Sequence, residues 1–515
     1  MLRALIAVAI AIPLYEALRY FALRKARESL LRRARGYADQ HGVRVDLFKF
    51  GGKLLVREEL LNDRSIVQAM AAAADKGERP EDVRARVEEY IDEIVPAFSH
   101  TAYFQFGMKL ARAAIRAVYR PVVDAQSLQR VSAALPANAT AVFLINHRSN
   151  FDYLVVSWAL ARQVAISYAV GEWARVFPLD VLFKAFGGFF VRRGFPDPLY
   201  HTVLRRYLQL ITRRGVTQGI FPEGGLTRDG ALRAPKVGLL DGILQLSAEP
   251  GLDRELYFVP VGINYDRVLE DEALLAELRG RANPPTRAEK LRGALRLLWV
   301  VPSRVVINVL RVATGRLQRN GYVAVAFGEP IRLRDLPQAQ GLAALTDDAR
   351  RAIAKEVAGT LMERIARTIP ATPVPLLSRA ALELKCDATL SELAARVREL
   401  RATLEERGAR TALGREFDPQ RAARADLRED LDRNRDLARL ETDLLCSEEA
   451  EQIVRLGFER LLQRRALSLA KGRVRLGDHP YARDLLEYYA RSLVLLGPAG
   501  GQPASLTEAR LWTSS

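Results

Sequence analysis

His147 and Asp152 stand five positions apart in the stretch Thr140 to Asp152, TAVFLINHRSNFD. A histidine whose second ring nitrogen is held by a carboxylate has a fixed tautomer and can take a proton from a substrate hydroxyl. No serine or cysteine nucleophile motif lies nearby. The pair therefore reads as a general base acting directly on an acceptor alcohol, with no covalent enzyme intermediate. On one regular helix the two side chains would sit about 140° apart, so a turn has to fold Asp152 back onto the imidazole. A surface turn with a helix N-cap at Asn150 is the plain alternative.

The elements needed to position such a pair are legible around it. Thr140 to Ile145 is a short apolar run without polar alternation, which suits a central strand buried on both faces. The polar residues follow at once, and LVVSWALAR then resumes a helix-compatible pattern. In an open α/β sheet, the carboxyl end of a strand is where ligands bind. Further strands are expected at Ala165 to Val170, Gly188 to Val191, Gly219 to Phe221, Leu256 to Ile263 and Tyr322 to Phe327, with helical patterns such as Pro198 to Arg213 and Leu239 to Ser247 between them. That alternation predicts an α/β fold with a mostly parallel central sheet and flanking helices.

Three more stretches carry chemistry-bearing residues. GGFFVRR, Gly187 to Arg193, ends in Arg192 and Arg193, and arginine at a strand end can make bidentate bonds to phosphate. In FPEGGLTRDGALRAPKVG, Phe221 to Gly238, Pro222, Gly224 and Gly225 predict a tight turn with close backbone approach to a ligand. Glu223 there is suited to an acceptor's hydroxyls, and Arg228 and Lys236 offer cations for phosphate. The fourth stretch, FVPVGINYD, runs from Phe258 to Asp266.

In order and spacing, these stretches and NHRSNFDY resemble the four motifs of the glycerolipid acyltransferases, most closely the bacterial glycerol-3-phosphate acyltransferases. The resemblance covers about residues 85 to 335, and PYARDLLEYYARSLVLL near the C-terminus resembles that family's terminal helix. It implies His147 and Asp152 as the catalytic pair. Arg192, Arg193, Glu223, Gly224, Gly225, Arg228 and Lys236 would form the acceptor site, and Pro260 the wall on the acyl side. It further implies transfer of a fatty acyl group from acyl-CoA or acyl carrier protein to the sn-1 hydroxyl of glycerol-3-phosphate, the first step of phospholipid synthesis. No metal or bound cofactor is required. Leu226 departs from the pattern, standing where the family usually has arginine, so dihydroxyacetone phosphate and lysophosphatidic acid remain as acceptors.

Composition narrows the partners. The 515 residues carry a net charge of +17, which favours an anionic surface, substrate or nucleic acid. The basic residues are spread along the chain without a recognised nucleic-acid module, which argues against a nucleic-acid scaffold. A catalytically silent lipid-binding relative is the other alternative, and the intact His147 and Asp152 argue against it. With only Cys386 and Cys446 present, no disulfide framework or zinc spacing is implied.

The start of the chain is an uncharged run, Ala4 to Tyr15, followed by a basic stretch containing Arg24, Lys25, Arg27, Arg32, Arg33 and Arg35. That run is shorter than the ~20 apolar residues needed to span a bilayer. An interfacial anchor on the anionic cytoplasmic face of the membrane is expected, with a docked N-terminal helix as the alternative. Between Lys290 and Leu317 a basic amphipathic segment suits a membrane surface, an acyl-chain entrance or a core-packed helix broken at Pro302. The expected organisation is an anchor at 1–36, a helical region at 37–125, the acyltransferase α/β domain at 126–335 and a helical domain at 336–515. Ser391 is expected to cap a helix ended by Gly408, and Arg421 to Asp443 reads as a solvated helix face.

Overall fold

A computed structural model of the chain describes residues 52–96, 108–161, 164, 166–171, 184, 187–192, 194–248, 252–280, 319–336, 347–412 and 449–497. The expected anchor at 1–36, the basic segment at 290–317, the charged run at 421–443 and Arg193 lie outside the described residues. Among those described, no helix is long and apolar enough to cross a membrane. The fold is mixed α/β, with a mostly parallel central sheet and flanking helices.

Two compact units are interleaved along the chain: residues 1–108, 160–219 and 249–254 in the first, and 109–159, 220–248 and 255–515 in the second. The division passes through the segment 126–335.

Within the first unit, the strand Ser167–Gly171 pairs in parallel with Gly188–Val191 on one side and with Gln218 and Gly219 on the other. The helix Pro198–Arg213 has the bounds its pattern predicts. Pro198 opens it, Asp197 accepts from the Leu199 N–H at 2.8 Å, and a buried face runs through Leu199, Val203, Tyr207 and Ile211. In the helix Pro80–Ile94, Val87, Tyr90, Ile91 and Ile94 are buried, as their spacing predicts.

In the second unit, the strand Ala139–Ile145 is buried at every position and pairs in parallel with Glu255–Tyr265, Ala139 facing Glu255 and Ile145 facing Val261. On its other edge Glu255–Tyr265 pairs antiparallel with Tyr322–Phe327 through residues 261–265, and with Ile331–Arg332 through Tyr257 and Phe258. Pro260 falls between those two stretches, so its missing N–H costs no bond on that edge. Two strands of this sheet escaped the sequence reading, the short Ile331–Arg332 and Arg120–Val123; Arg120–Val123 pairs in parallel with Tyr322–Phe327, although Pro121 reads as a break. It is the edge strand of the order, where proline is tolerated.

Beyond residue 335 most elements are helical, but Leu467–Ala470, Arg473–Leu476 and Asp387–Ala388 form a small antiparallel sheet that the helical pattern does not announce. The helix Leu390–Glu406 is capped by Thr389, not Ser391, because Glu392 completes a capping box with it. Gly408 follows its end at φ 86°.

Candidate active site

The turn after the strand Ala139–Ile145 is built by side chains that replace backbone partners. Asn146 extends the strand with its amide, which accepts from the Ile263 N–H at 2.7 Å and donates to the Ile263 carbonyl at 3.0 Å. The chain then bends, and Asp152, in the first turn of the helix Asp152–Leu160, reaches back over it. Its Oδ2 accepts from the backbone N–H of Arg148 at 2.7 Å and of Ser149 at 3.0 Å, and from His147 Nδ1 at 3.0 Å. This is the fold-back that a single helix cannot make. With a carboxylate as acceptor, Nδ1 carries the hydrogen and Nε2 keeps its lone pair for a proton.

Asp152 has a further partner. The Tyr265 hydroxyl donates to Oδ1 at 2.6 Å. Burial, reinforced by the Asp152 charge, raises the phenol's pKa well above its ordinary value, so it stays a donor. Ser149 and Asn150 are held by Glu270, which accepts from the Ser149 hydroxyl at 2.8 Å and the Asn150 N–H at 3.1 Å. The imidazole is 1% exposed and lies against Phe221, ring centroids 4.3 Å apart.

The loop from Phe221 to Gly238 is stitched to this turn at three points. Glu223 Oε1 accepts from the His147 N–H at 2.7 Å, the Thr227 N–H donates to the His147 carbonyl at 3.3 Å, and the Arg148 guanidinium donates to the Gly230 carbonyl. Glu223 Oε2 also accepts from the Arg233 N–H at 2.9 Å. Expected to face the acceptor's hydroxyls, Glu223 is instead 1% exposed, with both oxygens on backbone N–H groups. Burial raises its pKa, against the pull of those bonds and of Arg148.

Gly224 makes the predicted turn at φ 64°, its N–H donating to the Phe221 carbonyl at 3.0 Å, while Gly225 is buried beside it. Lys236 is exposed, its N–H bonded to the Pro222 carbonyl at 2.7 Å and its stem passing over Gly224. Arg228 is about half exposed and paired with Glu277 at 2.6 Å. Pro260 is buried in its strand opposite Leu144.

Arg192 requires a correction. In the first unit its Nε donates to Glu93 at 2.9 and 3.0 Å, a second nitrogen donates to the same carboxylate, and its guanidinium lies 4.6 Å from the Phe195 ring centroid. With 16% of the side chain exposed, this arginine is partly buried and held by the Glu93 carboxylate rather than left free for phosphate.

Residues 128–264 match the family described as Acyltransferase, and residues 306–460 match the one described as Glycerol-3-phosphate acyltransferase C-terminal region. Over residues 128–264 this chain is similar to an acyltransferase domain. Its similar relatives include the glycerol-3-phosphate acyltransferase of Aeromonas hydrophila, 31% identical over 60% of this chain and 36% of that protein. The enzyme of the same name from Glaesserella parasuis is 30% identical over 59% of this chain and 36% of its own length. The chain thus spans little more than a third of the length of these relatives. A solved 1-acyl-sn-glycerophosphate acyltransferase, PlsC from Thermotoga maritima, aligns with 50% of this chain and 78% of its own at 16% identity; its TM-score of 0.29 is too low to bear on the fold.

The matched segment contains His147, Asp152 and Glu223, and Tyr265 stands one residue past its end. Tyr265, Glu270, Arg148 and Arg233 are the contributors that sequence reading missed. Tyr265 lies within FVPVGINYD, but nothing in that stretch signals a bond to a residue 113 positions away.

Proposed function

We propose that this protein transfers a fatty acyl group from acyl-CoA or acyl carrier protein to the sn-1 hydroxyl of glycerol-3-phosphate. The observation that carries the reading is the bond of 3.0 Å between His147 Nδ1 and Asp152 Oδ2, within the segment that matches the acyltransferase family. His147 Nε2 takes the hydroxyl proton as that oxygen attacks the thioester carbonyl. Asp152 stabilises the imidazolium so formed. Collapse of the tetrahedral intermediate breaks the carbon–sulfur bond, the imidazolium returns its proton to the departing sulfur, and ester and free thiol leave.

Such a reaction joins a water-soluble acceptor to a lipid chain, and the polybasic sequence at residues 1–36 supports work at the cytoplasmic face of an anionic membrane. Deleting residues 1–36 is expected to shift the protein toward the soluble fraction.

The test is thioester consumption by purified protein with glycerol-3-phosphate, dihydroxyacetone phosphate, lysophosphatidic acid and glycerol under one set of conditions. Glycerol-3-phosphate should be the preferred acceptor. His147→Ala should lose at least ~10²-fold in rate while staying folded. Full activity in that variant ends the mechanism, and a preference for another phosphorylated acceptor reassigns the substrate.

A further inference from the structure

With Arg192 held by Glu93, the cations of the Phe221 to Gly238 loop are the described candidates for recognising a phosphorylated acceptor. Arg228 is paired with Glu277. Arg233 differs in two respects. Its backbone N–H sits on one oxygen of Glu223 while the His147 N–H sits on the other, so a single buried carboxylate fixes both main-chain positions. Its guanidinium makes no ion pair among the described residues; its one bond there runs from Nη1 to the Leu226 carbonyl at 3.1 Å.

A guanidinium has five N–H donors in a fixed fork. One is used to anchor the group beside Leu226, and the others stay on a half-buried side chain whose charge no carboxylate among the described residues neutralises. That is a preorganised anion ligand rather than a solvated arginine. Lys236, exposed on the same loop with its stem over Gly224, supplies a second cation.

We propose that Arg233 binds the phosphomonoester of the acceptor, placing a charge beside Leu226, which itself contributes none. This assignment rests on the acyl-transfer reading above for the identity of the acceptor, but not for the binding of phosphate.

The experiment compares wild type with Arg233→Gln, Arg233→Lys and Arg233→Ala. Glutamine removes the charge, while lysine keeps it together with a donor long enough to approach the Leu226 carbonyl, so the two variants separate anion binding from a loop clamp. In Arg233→Gln the KM for glycerol-3-phosphate should rise about ten- to a hundredfold. Competitive inhibition by inorganic phosphate should weaken by the same factor, and the KM for the acyl donor should stay within about twofold. Arg233→Lys should fall between. Unchanged glycerol-3-phosphate KM and phosphate inhibition in Arg233→Gln overturn the assignment, even if Arg233→Ala loses kcat or fails to fold. Should wild type consume no thioester with any acceptor, the acyl-transfer reading falls alone. The Arg233 assignment then stands or falls on calorimetric titration of wild type and Arg233→Gln with glycerol-3-phosphate.

Discussion

Tyr265 donates to Asp152 Oδ1 at 2.6 Å, on the oxygen that does not hold His147. In the mechanism proposed above, the phenol acts through Asp152, as a positioning residue. Removing it leaves the carboxylate its three bonds on Oδ2 and costs one charge-assisted bond of roughly 1.5 to 3 kcal/mol. Part of that cost should appear in kcat. Tyr265→Phe is expected to lower kcat about tenfold at unchanged KM, and Asp152→Asn to lower it far more. A Tyr265→Phe variant with wild-type kcat at every pH would leave the bond structural only.

Two carboxyls, the buried Glu223 and the partly buried Glu270, predict a pH dependence of stability. Burial raises the pKa values of Glu223 and Glu270 above the ordinary carboxyl value. In the window between the ordinary and the raised value the folded protein binds more protons than the unfolded chain, so stability falls as pH rises through it. Glu223→Gln should flatten that slope in a plot of Tm against pH. It should also lower Tm throughout, because one of the two backbone N–H groups then faces an amide nitrogen, at a cost of about 1 to 3 kcal/mol. An undiminished slope in that variant would remove Glu223 from the account.

Arg192 and Glu93 form a pair in which the side chains are 16% and 6% exposed. Breaking such a pair from one side strands the other charge, typically at about 3 to 5 kcal/mol. Arg192→Ala should accordingly unfold at a clearly lower temperature, with the glycerol-3-phosphate KM of its folded fraction near wild type. A large rise in that KM with unchanged Tm would restore Arg192 to the phosphate site.

Within the second unit the turn that carries His147 is tied to the end of the helix Ala482–Arg491. Arg148, 2% exposed, donates to the Gly230 carbonyl and, at 3.4 Å, to the carbonyl of Ser492. A Cβ at Gly230 would come within 1.8 Å of the Tyr488 carbonyl oxygen, at a φ of 83°. Gly230→Ala should therefore cost both stability and activity. Gly359→Ala, where an added methyl meets nothing within 4 Å, should be neutral or stabilise its helix by about 0.5 to 1 kcal/mol. Thermal melts of the two variants check the contrast.

Local pattern alone determined the buried strand before His147, the polar turn and the helix after it, the bounds of Pro198–Arg213, and the candidacy of His147 and Asp152. These follow from periodicity, proline and glycine placement, and side-chain chemistry, all of which act over a few residues. Edge position rescued Pro121 as a strand residue, and a four-residue capping box moved a helix cap from Ser391 to Thr389. Long-range partners were invisible: Glu93 for Arg192, Tyr265 for Asp152, and the paired N–H groups of His147 and Arg233 for Glu223. Sequence reading treated Arg192 and Glu223 as ligand groups because their side-chain chemistry permits it. Whether a charged group faces a ligand or a buried counterpart depends on what the tertiary fold brings against it, since a desolvated charge must find a partner wherever the fold supplies one.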